Sequence, residues 1–331
     1  MIYKGRYKFF DFSSVLRYSI NERPNKVKIE DFVDLDKILK EPLRFDTKEL
    51  RILANRIIQA KKSGLPVIWA SGAHIIKNGL GPIIIDLAKE GMIDVIGVNG
   101  AFTIHDFEIA LFGQTSENVP NALSMGKFGF AYETGRYLNK AIIEGDELQL
   151  GYGETLGKFI SGELFIGENV EFLYPEFSVI YNLYKLNIPL TVHIAIGSDI
   201  HHMHPEFDGR AMGGTSGRDF GIFTHYITQL INGGVCLLIG SAVIMVEVYL
   251  KAFSMASNTG KIPNRITTGS FDLRPAHIED VKDESTYTYY FRDIKSIVIR
   301  IPKAFNGDGY YIKGNHKDTI PSLYKMIKEM I

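Results

Sequence analysis

An α/β fold with a doubly wound, mostly parallel sheet is what this sequence predicts, on three observations. Short continuous apolar runs such as "PVIWAS", "DVIGVN" and "GVCLLIGS" recur along the chain. Between them stand stretches whose apolar residues return at helical spacing. Nearly every run stops at a glycine beside Ser, Thr or Asn. Apolar strands alternating with helices belong to a parallel sheet covered on both faces.

The bulk numbers agree with that class and narrow the partners. The 331 residues are 45% hydrophobic and 23% charged, an ordinary globular composition. With a net charge of -1 and a pI near 6.8, no general basic field exists to attract nucleic acid or anionic lipid. The single cysteine, Cys236, lies in an apolar run and suits a reducing compartment. The first residues lack the apolar core of a signal peptide. "GGVCLLIGSAVIMVEVYL" approaches membrane-span length, yet it carries glycines, a serine and Glu247, so it reads as strand plus helix. The expectation is a soluble cytoplasmic protein with no nucleic-acid or membrane partner.

In chain order, residues 1–50 are charged and irregular and read as an arm laid over the core or over a neighbouring subunit. Residues 51–331 read as a single α/β nucleotide-binding domain. Apolar positions from Leu50 to Ile58 predict a helix that Gly64 stops. "LPVIWASGAH" is a strand with a small-residue loop, "GLGPIIIDLAKEGM" a helix with Pro82 in its first turn, and "IDVIGVNGAF" the next strand and turn. The glycine-rich "GYGETLGKFISGELFIGENV" predicts a mobile or oligomer-facing segment. "SVIYNLYKLN", "DFGIFTHYITQLING" and "AVIMVEVYLKAFSMAS" are helical, alternating with the strands "IPLTVHIAIG", "GVCLLIGS" and "NRITTGS". The alternating "FRDIKSIVIRIPKAF" predicts an edge strand guarded by lysines, and "TYTYYF" a half-buried strand face.

Ligands of an open parallel sheet bind at the carboxyl ends of its strands. Those ends here read "ASGAH", "NGAFTIHD", "GSDIHH", "IGSAV" and "TTGSFD". Small residues let backbone N–H groups approach phosphate and ribose, and a following helix favours negative charge. Five such tips predict a nucleotide laid across the sheet. Neither GxGxxG after the first strand nor a GxxxxGK[ST] loop is present, so the site uses a different loop grammar.

Taken in order, the loops resemble those of the deoxyhypusine synthases, NAD-dependent enzymes that transfer a butylamine group from spermidine to a protein lysine. "WASGAHIIKNGLGPII" stands where that family has a Thr-Ser-Asn loop and a Ser-Ser-Gly helix start, and "MIDVIGVNGAFTIHDFEIAL" where it has Met-Val-Asp, Ala-Gly-Gly and Glu-Glu-Asp. "SVIYNLYKLNIPLTVHIAIGSDIHHM", "GGVCLLIGSAVIMVE" and "NRITTGSFD" follow in the family's order, so the resemblance spans about residues 60 to 325. It implies a Rossmann-like NAD site lined by Ser71, Gly72, Gly79, Asn99, Gly100, Ala101, Asp106, Ser198, Asp199, Gly240, Ser241, Thr267 and Thr268, with Asn315 in an adenosine-side turn. It also implies an amine substrate, such as a polyamine, and a homotetramer with sites between subunits. The family's imine-forming Trp-Gly-Lys is absent, because the only tryptophan, Trp69, precedes Ala70. Lys282, Lys295 and Lys303 follow the last matching loop but stand in no such motif, so deoxyhypusine synthase activity itself is not expected.

"TVHIAIGSDIHHMHPEFDG" holds four of the nine histidines. In an extended chain His202 and His204 point the same way, and with Asp199 they form a candidate site for zinc or another divalent ion, with His105, His74 or Asp106 as further donors. Alternatively, one imidazole does acid–base work beside a nicotinamide while the others hold the loop. "FDGRAMGGTSGRDF" then reads as an anion-holding nest with Arg210 or Arg218, or as a flexible lid. The residues allow three functions. One is an NAD-using transferase- or oxidoreductase-like enzyme, with His105 and Asp106 as acid–base residues beside Asp199 and His202. The others are a metal-dependent hydrolase on Asp199, His202 and His204, and a non-catalytic nucleotide sensor.

Overall fold

In the computed structural model, which describes residues 3–331, six strands form one parallel sheet. In chain order they are β2 (Val67–Ser71), β3 (Val95–Asn99), β5 (Leu190–His193), β6 (Gly234–Ile239), β7 (Ile266–Asp272) and β8 (Asp308–Lys313); β1 (Asn25–Lys28) and β4 (Gln114–Glu117) pair antiparallel beside it. The order across the sheet is β5-β3-β2-β6-β7-β8. From β2 the chain steps outward through β3 and β5. It then crosses to the other side of β2 and steps outward through β6, β7 and β8. That is the order of a doubly wound Rossmann-like sheet, with its switch point between β2 and β6.

Alternation along the strands divides the core into two layers. Val67, Trp69, Ile96, Val98, Val235 and Leu237 face the helices Lys48–Lys62, Gly81–Lys89, Gly100–Phe112 and His316–Lys328. Ile68, Ala70, Val95, Cys236 and Leu238 face the helices Gly209–Ile227 and Ile244–Asn258. Several helix starts are written locally. Thr47, Asn99, Ser178 and Asp208 each accept a backbone N–H of the first turn through the side chain.

Three expectations change. "FRDIKSIVIRIPKAF" is not an edge strand: Ile294–Arg300 is a π-helix running into the helix Ile301–Ala304. Its buried residues Ile294, Ile297, Val298 and Ile301 fall at helical intervals, which outweighed the shorter alternation. The edge strand on that side of the sheet is β8, "DGYYIK". "TYTYYF" is a short 3-10 turn at Thr288–Tyr290 with Tyr287 and Tyr290 exposed. The glycine-rich stretch after Asp208 is neither nest nor lid but the start of the helix Gly209–Ile227, where Gly214 lets the helix sit against the Asp146 carboxylate. The middle segment holds the helix Tyr152–Ile160, packed on Val179–Lys185.

The N-terminal segment lies on its own chain. β1 pairs with β4 in the register Val27 to Thr115, the Val33 N–H donates to the Gly79 carbonyl, and Arg17 pairs with Glu206 at 2.8 Å. No helix among the described residues is long and apolar enough to cross a membrane.

At the switch point the backbones of β2 and β6 touch. The Gly72 N–H donates to the Ile239 carbonyl at 3.0 Å, and a Cβ on Gly72 would lie 2.3 Å from the Gly240 carbonyl oxygen. Gly72→Ala is expected to destabilise by about 2 kcal/mol, lowering the thermal midpoint by several degrees in a melt followed by circular dichroism. Gly213→Ala, inside a helix with nothing within 4 Å of the new methyl, is expected to leave the midpoint unchanged or raise it slightly.

Candidate functional site

The turns after β2, β3 and β5 lie side by side and border a cleft of about 470 Å³. His74 and Lys77 come from the turn after β2. Ala101 and His105 come from the start of the helix Gly100–Phe112, and Ser198 and Asp199 from the turn after β5. The N-terminal segment closes the remaining side with Arg23, Lys26 and Val27. Of the residues singled out in the sequence, His74, His105, Asp199, Ala101 and Ser198 are therefore brought together.

The cleft floor depends on a glycine. Asn99 caps the helix by accepting the Phe102 N–H at 3.1 Å, and Gly100 follows with no side chain. The Asp199 carboxylate occupies that space, 2.2 Å from where a Cβ would stand. Asp199 Oδ2 is buried without a hydrogen-bond partner, and burial pushes the carboxyl up to about 6.

Behind His105 runs a buried polar chain. His105 Nδ1 lies 2.7 Å from Thr115 Oγ1, and the Thr115 hydroxyl donates to Glu108 Oε2 at 2.6 Å. Glu108 also accepts from Arg23 at 2.7 Å and from the Thr134 hydroxyl at 2.8 Å. Burial holds the His105 imidazole down to about 4, against the raising influence of Glu108. Sequence reading missed Glu108, Thr115 and Arg23. The spacing of His105 and Glu108, three apart on one helix, was the one local signal; Arg23 and Thr115 arrive through the β1–β4 pairing, which nothing local announces.

The other predicted residues lie elsewhere. Asp106 faces away from the cleft, fully buried, and accepts the Ser178 hydroxyl at 2.5 Å and the Val179 and Ile180 N–H groups at the start of the helix Val179–Lys185. Gly79, with φ +69°, packs under the backbone at Asp31 and Phe32. The Ser71 hydroxyl is spent on the Gly72 and Ile239 carbonyls. Gly240 is left-handed at φ +60° and makes room for the His316 imidazole, while Ser241 Oγ accepts the Met245 N–H. Thr267 and Thr268 sit at the amino end of β7, which runs on to Asp272, roughly 13 to 16 Å short of the carboxyl edge. Asn315 is exposed and caps the helix His316–Lys328.

The histidine stretch is folded inward rather than extended. Ile200–Met203 is a 3-10 turn, so His202 and His204 do not project together. His201 Nε2 lies 3.2 Å from the Tyr152 hydroxyl, His202 Nδ1 accepts the Gly197 N–H at 3.1 Å, and His204 Nε2 donates to the Gly129 carbonyl at 2.8 Å. Each ring is buried and spends one nitrogen on a different neighbour. Among the described residues no group of three or more His, Cys, Asp or Glu side chains is arranged to hold a metal ion. The Asp199, His202 and His204 centre is not assembled.

No family model matches the chain. Over 93 residues, 28% of its length, it is 31% identical to a protein of Methanothermobacter thermautotrophicus (strain Delta H) named ornithine cyclodeaminase, and the match takes in 22% of that protein. Among solved structures it is similar to AgrE in complex with ornithine and NAD+ (12% identity, TM-score 0.49, 86% of this chain and 34% of that one). It is also similar to a candidate LOR/SDH protein of Methanococcus maripaludis S2 (16% identity, TM-score 0.48, 88% and 71%). A third is a candidate deoxyhypusine synthase of Entamoeba histolytica (10% identity, TM-score 0.46, 95% and 97%).

His193 gives the stretch a measurable pH signature. It lies buried in β5 against Phe220 and Phe223, with Nε2 3.1 Å from the Thr191 hydroxyl, and burial holds its imidazole down to about 3. The unfolded chain takes up this proton as pH falls through the ordinary histidine range, whereas the folded chain does not until about 3. Stability is therefore lost as pH drops between those values. His193→Phe is expected to remove that loss, so the variant gains on the wild type by on the order of 3 kcal/mol between pH 7 and pH 4, read from melts across that range.

Proposed function

We propose that the chain is a nucleotide-dependent enzyme that binds NAD or a close relative at the carboxyl ends of its strands and acts on a small amine or amino-acid-type substrate. The observation that carries this reading is the single cleft in which the turns after β2, β3 and β5 meet beside the switch point, where doubly wound sheets take their ligands. The order of loops that resembles the deoxyhypusine synthases favours NAD. The partial match to an archaeal protein named for ornithine favours an amino-acid-type amine.

The cleft residues suit such a ligand. The Asp199 carboxylate borders the cleft beside Gly100 and accepts from no side chain or backbone group among the described residues, which suits it to a ribose hydroxyl or substrate ammonium. Lys26 and Lys77 border the cleft with no carboxylate partner among the described residues, a pair fit for phosphate or carboxylate. His105, neutral at ordinary pH, is the group for proton transfer. NAD, when bound, supplies hydride chemistry; the residues named here bind, orient and move protons. A lysine imine has no place in the reading: Lys282 and Lys303 are exposed, Lys295 lies over the Tyr289 ring, and none borders the cleft. In this reading the protein works in the cytoplasm as a homo-oligomer, the tetramer that the loop resemblance implies.

Calorimetric titration with NAD is expected to show one site per chain. Ala101→Trp, which fills the cleft from the helix start, should abolish binding, and Lys77→Glu should weaken it at least tenfold. Absence of NAD binding at millimolar concentration would overturn the reading, as would unaltered binding in Ala101→Trp.

A further inference from the structure

The hydrogen-bond chain behind His105 has a direction, and that direction decides what the imidazole offers to the cleft. Glu108 is 1% exposed and accepts from Arg23 and Thr115 on Oε2 and from Thr134 on Oε1. Paired with the donor-only Arg23 guanidinium at 2.7 Å, Glu108 is placed as an acceptor on both oxygens, and a carboxylate offers only lone pairs. The single Thr115 proton is thus committed to Glu108, across 2.6 Å. Thr115 Oγ1 then has only lone pairs left for the imidazole nitrogen 2.7 Å away, so His105 Nδ1 must donate. In a neutral imidazole one nitrogen carries the proton. Nε2, which has no partner among the described residues, keeps its lone pair.

We propose that Thr115 and Glu108, anchored by Arg23 from the N-terminal segment, are positioning residues that hold His105 in the Nδ1–H form and present Nε2 to the cleft as a proton acceptor. The proposal rests on the reading of the cleft as the ligand site, but the tautomer itself does not. The anchor reaches across the chain. Arg23 also lies 3.9 Å from Glu117 Oε1 and donates through Nε to Asn25 Oδ1 at 2.8 Å, which ties it to the β1–β4 pair that carries Thr115. A segment that looks like a loose arm in the sequence thereby sets the proton inventory of a residue more than eighty positions later.

Long-range proton–nitrogen correlation spectra of the nitrogen-labelled full chain at neutral pH read the tautomer directly. The wild type is expected to show His105 with a protonated Nδ1 and an unprotonated Nε2. Thr115→Ser should keep that pattern, whereas Thr115→Val should shift the ring toward the Nε2–H form or a mixture. A wild-type ring protonated on Nε2 overturns the proposal, and needs no variant to fold; so does an unchanged tautomer in a folded Thr115→Val. Adding NAD to the same sample separates the two ideas. A shift confined to His105 Nε2 supports the ligand reading, and its absence defeats that reading while the tautomer result stands.

Discussion

The structure turns on the point where β2 and β6 part company. There the chain, having stepped outward to β5, recrosses and begins the second half of the sheet, and the two backbones come into contact. Gly72 and Gly240 meet with no side chain between them, and the His316 imidazole sits against Gly240. This contact has a consequence for the site. With the crevice between β2 and β6 occupied by backbone, the open volume lies to one side, over β2, β3 and β5 and beneath the N-terminal segment. The glycines of the β2 and β6 tips therefore serve the packing of the sheet, and the residues that border space are those of the next turns.

Beneath that space the chain buries charge, which is costly unless every lone pair and proton is used. Glu108 has three donors, and Arg23 reaches Glu108, Glu117 and Asn25, so this pair meets the condition. Asp199 does not meet it, since Oδ2 has no donor, and burial pushes the carboxyl upward. Satisfied groups on one wall and an unsatisfied acceptor on the other make the cleft asymmetric. The ring of His105 is held by its surroundings, whereas Asp199 stands without a donor.

Periodicity made most of the fold legible. Apolar runs at β2, β3 and β6 are buried on both faces, and a strand in that position favours continuous hydrophobicity, although β7 is buried there too with Thr267, Thr268 and Ser270 in it. What the sequence concealed has the same physical root: short or exposed elements leave little pattern. β8 has a mixed burial pattern, with one residue fully buried, and β1 alternates over only four residues. In "DIKSIVIRI" two periods overlap, and the tertiary contacts of Ile294 and Val298 decide for the helical one. At the site, the turns after β3 and β5 were legible because small residues end strands in recognisable ways. The Arg23–Glu108–Thr115 chain was not, because it joins three segments that meet only after β1 has paired with β4.

The histidine-rich turn shows why residue type alone misleads. An imidazole buried as the neutral ring has one donor and one acceptor, which suits it to hold a neighbouring group in a tight turn, and each of His201, His202 and His204 spends one nitrogen in this way on a different partner: the Tyr152 hydroxyl, the Gly197 N–H and the Gly129 carbonyl. Metal ligation asks the opposite: several unprotonated nitrogens aimed at one point. The 3-10 geometry of Ile200–Met203 precludes that convergence by rotating successive rings away from one another. Their burial against Phe130, Tyr152 and Phe207 adds a penalty for charging any of them. The turn thus works through its packing: the rings of His201, His202 and His204 hold the backbone that sets Asp199 against Gly100, and a carboxylate that borders the cleft is placed by three neighbours that do not.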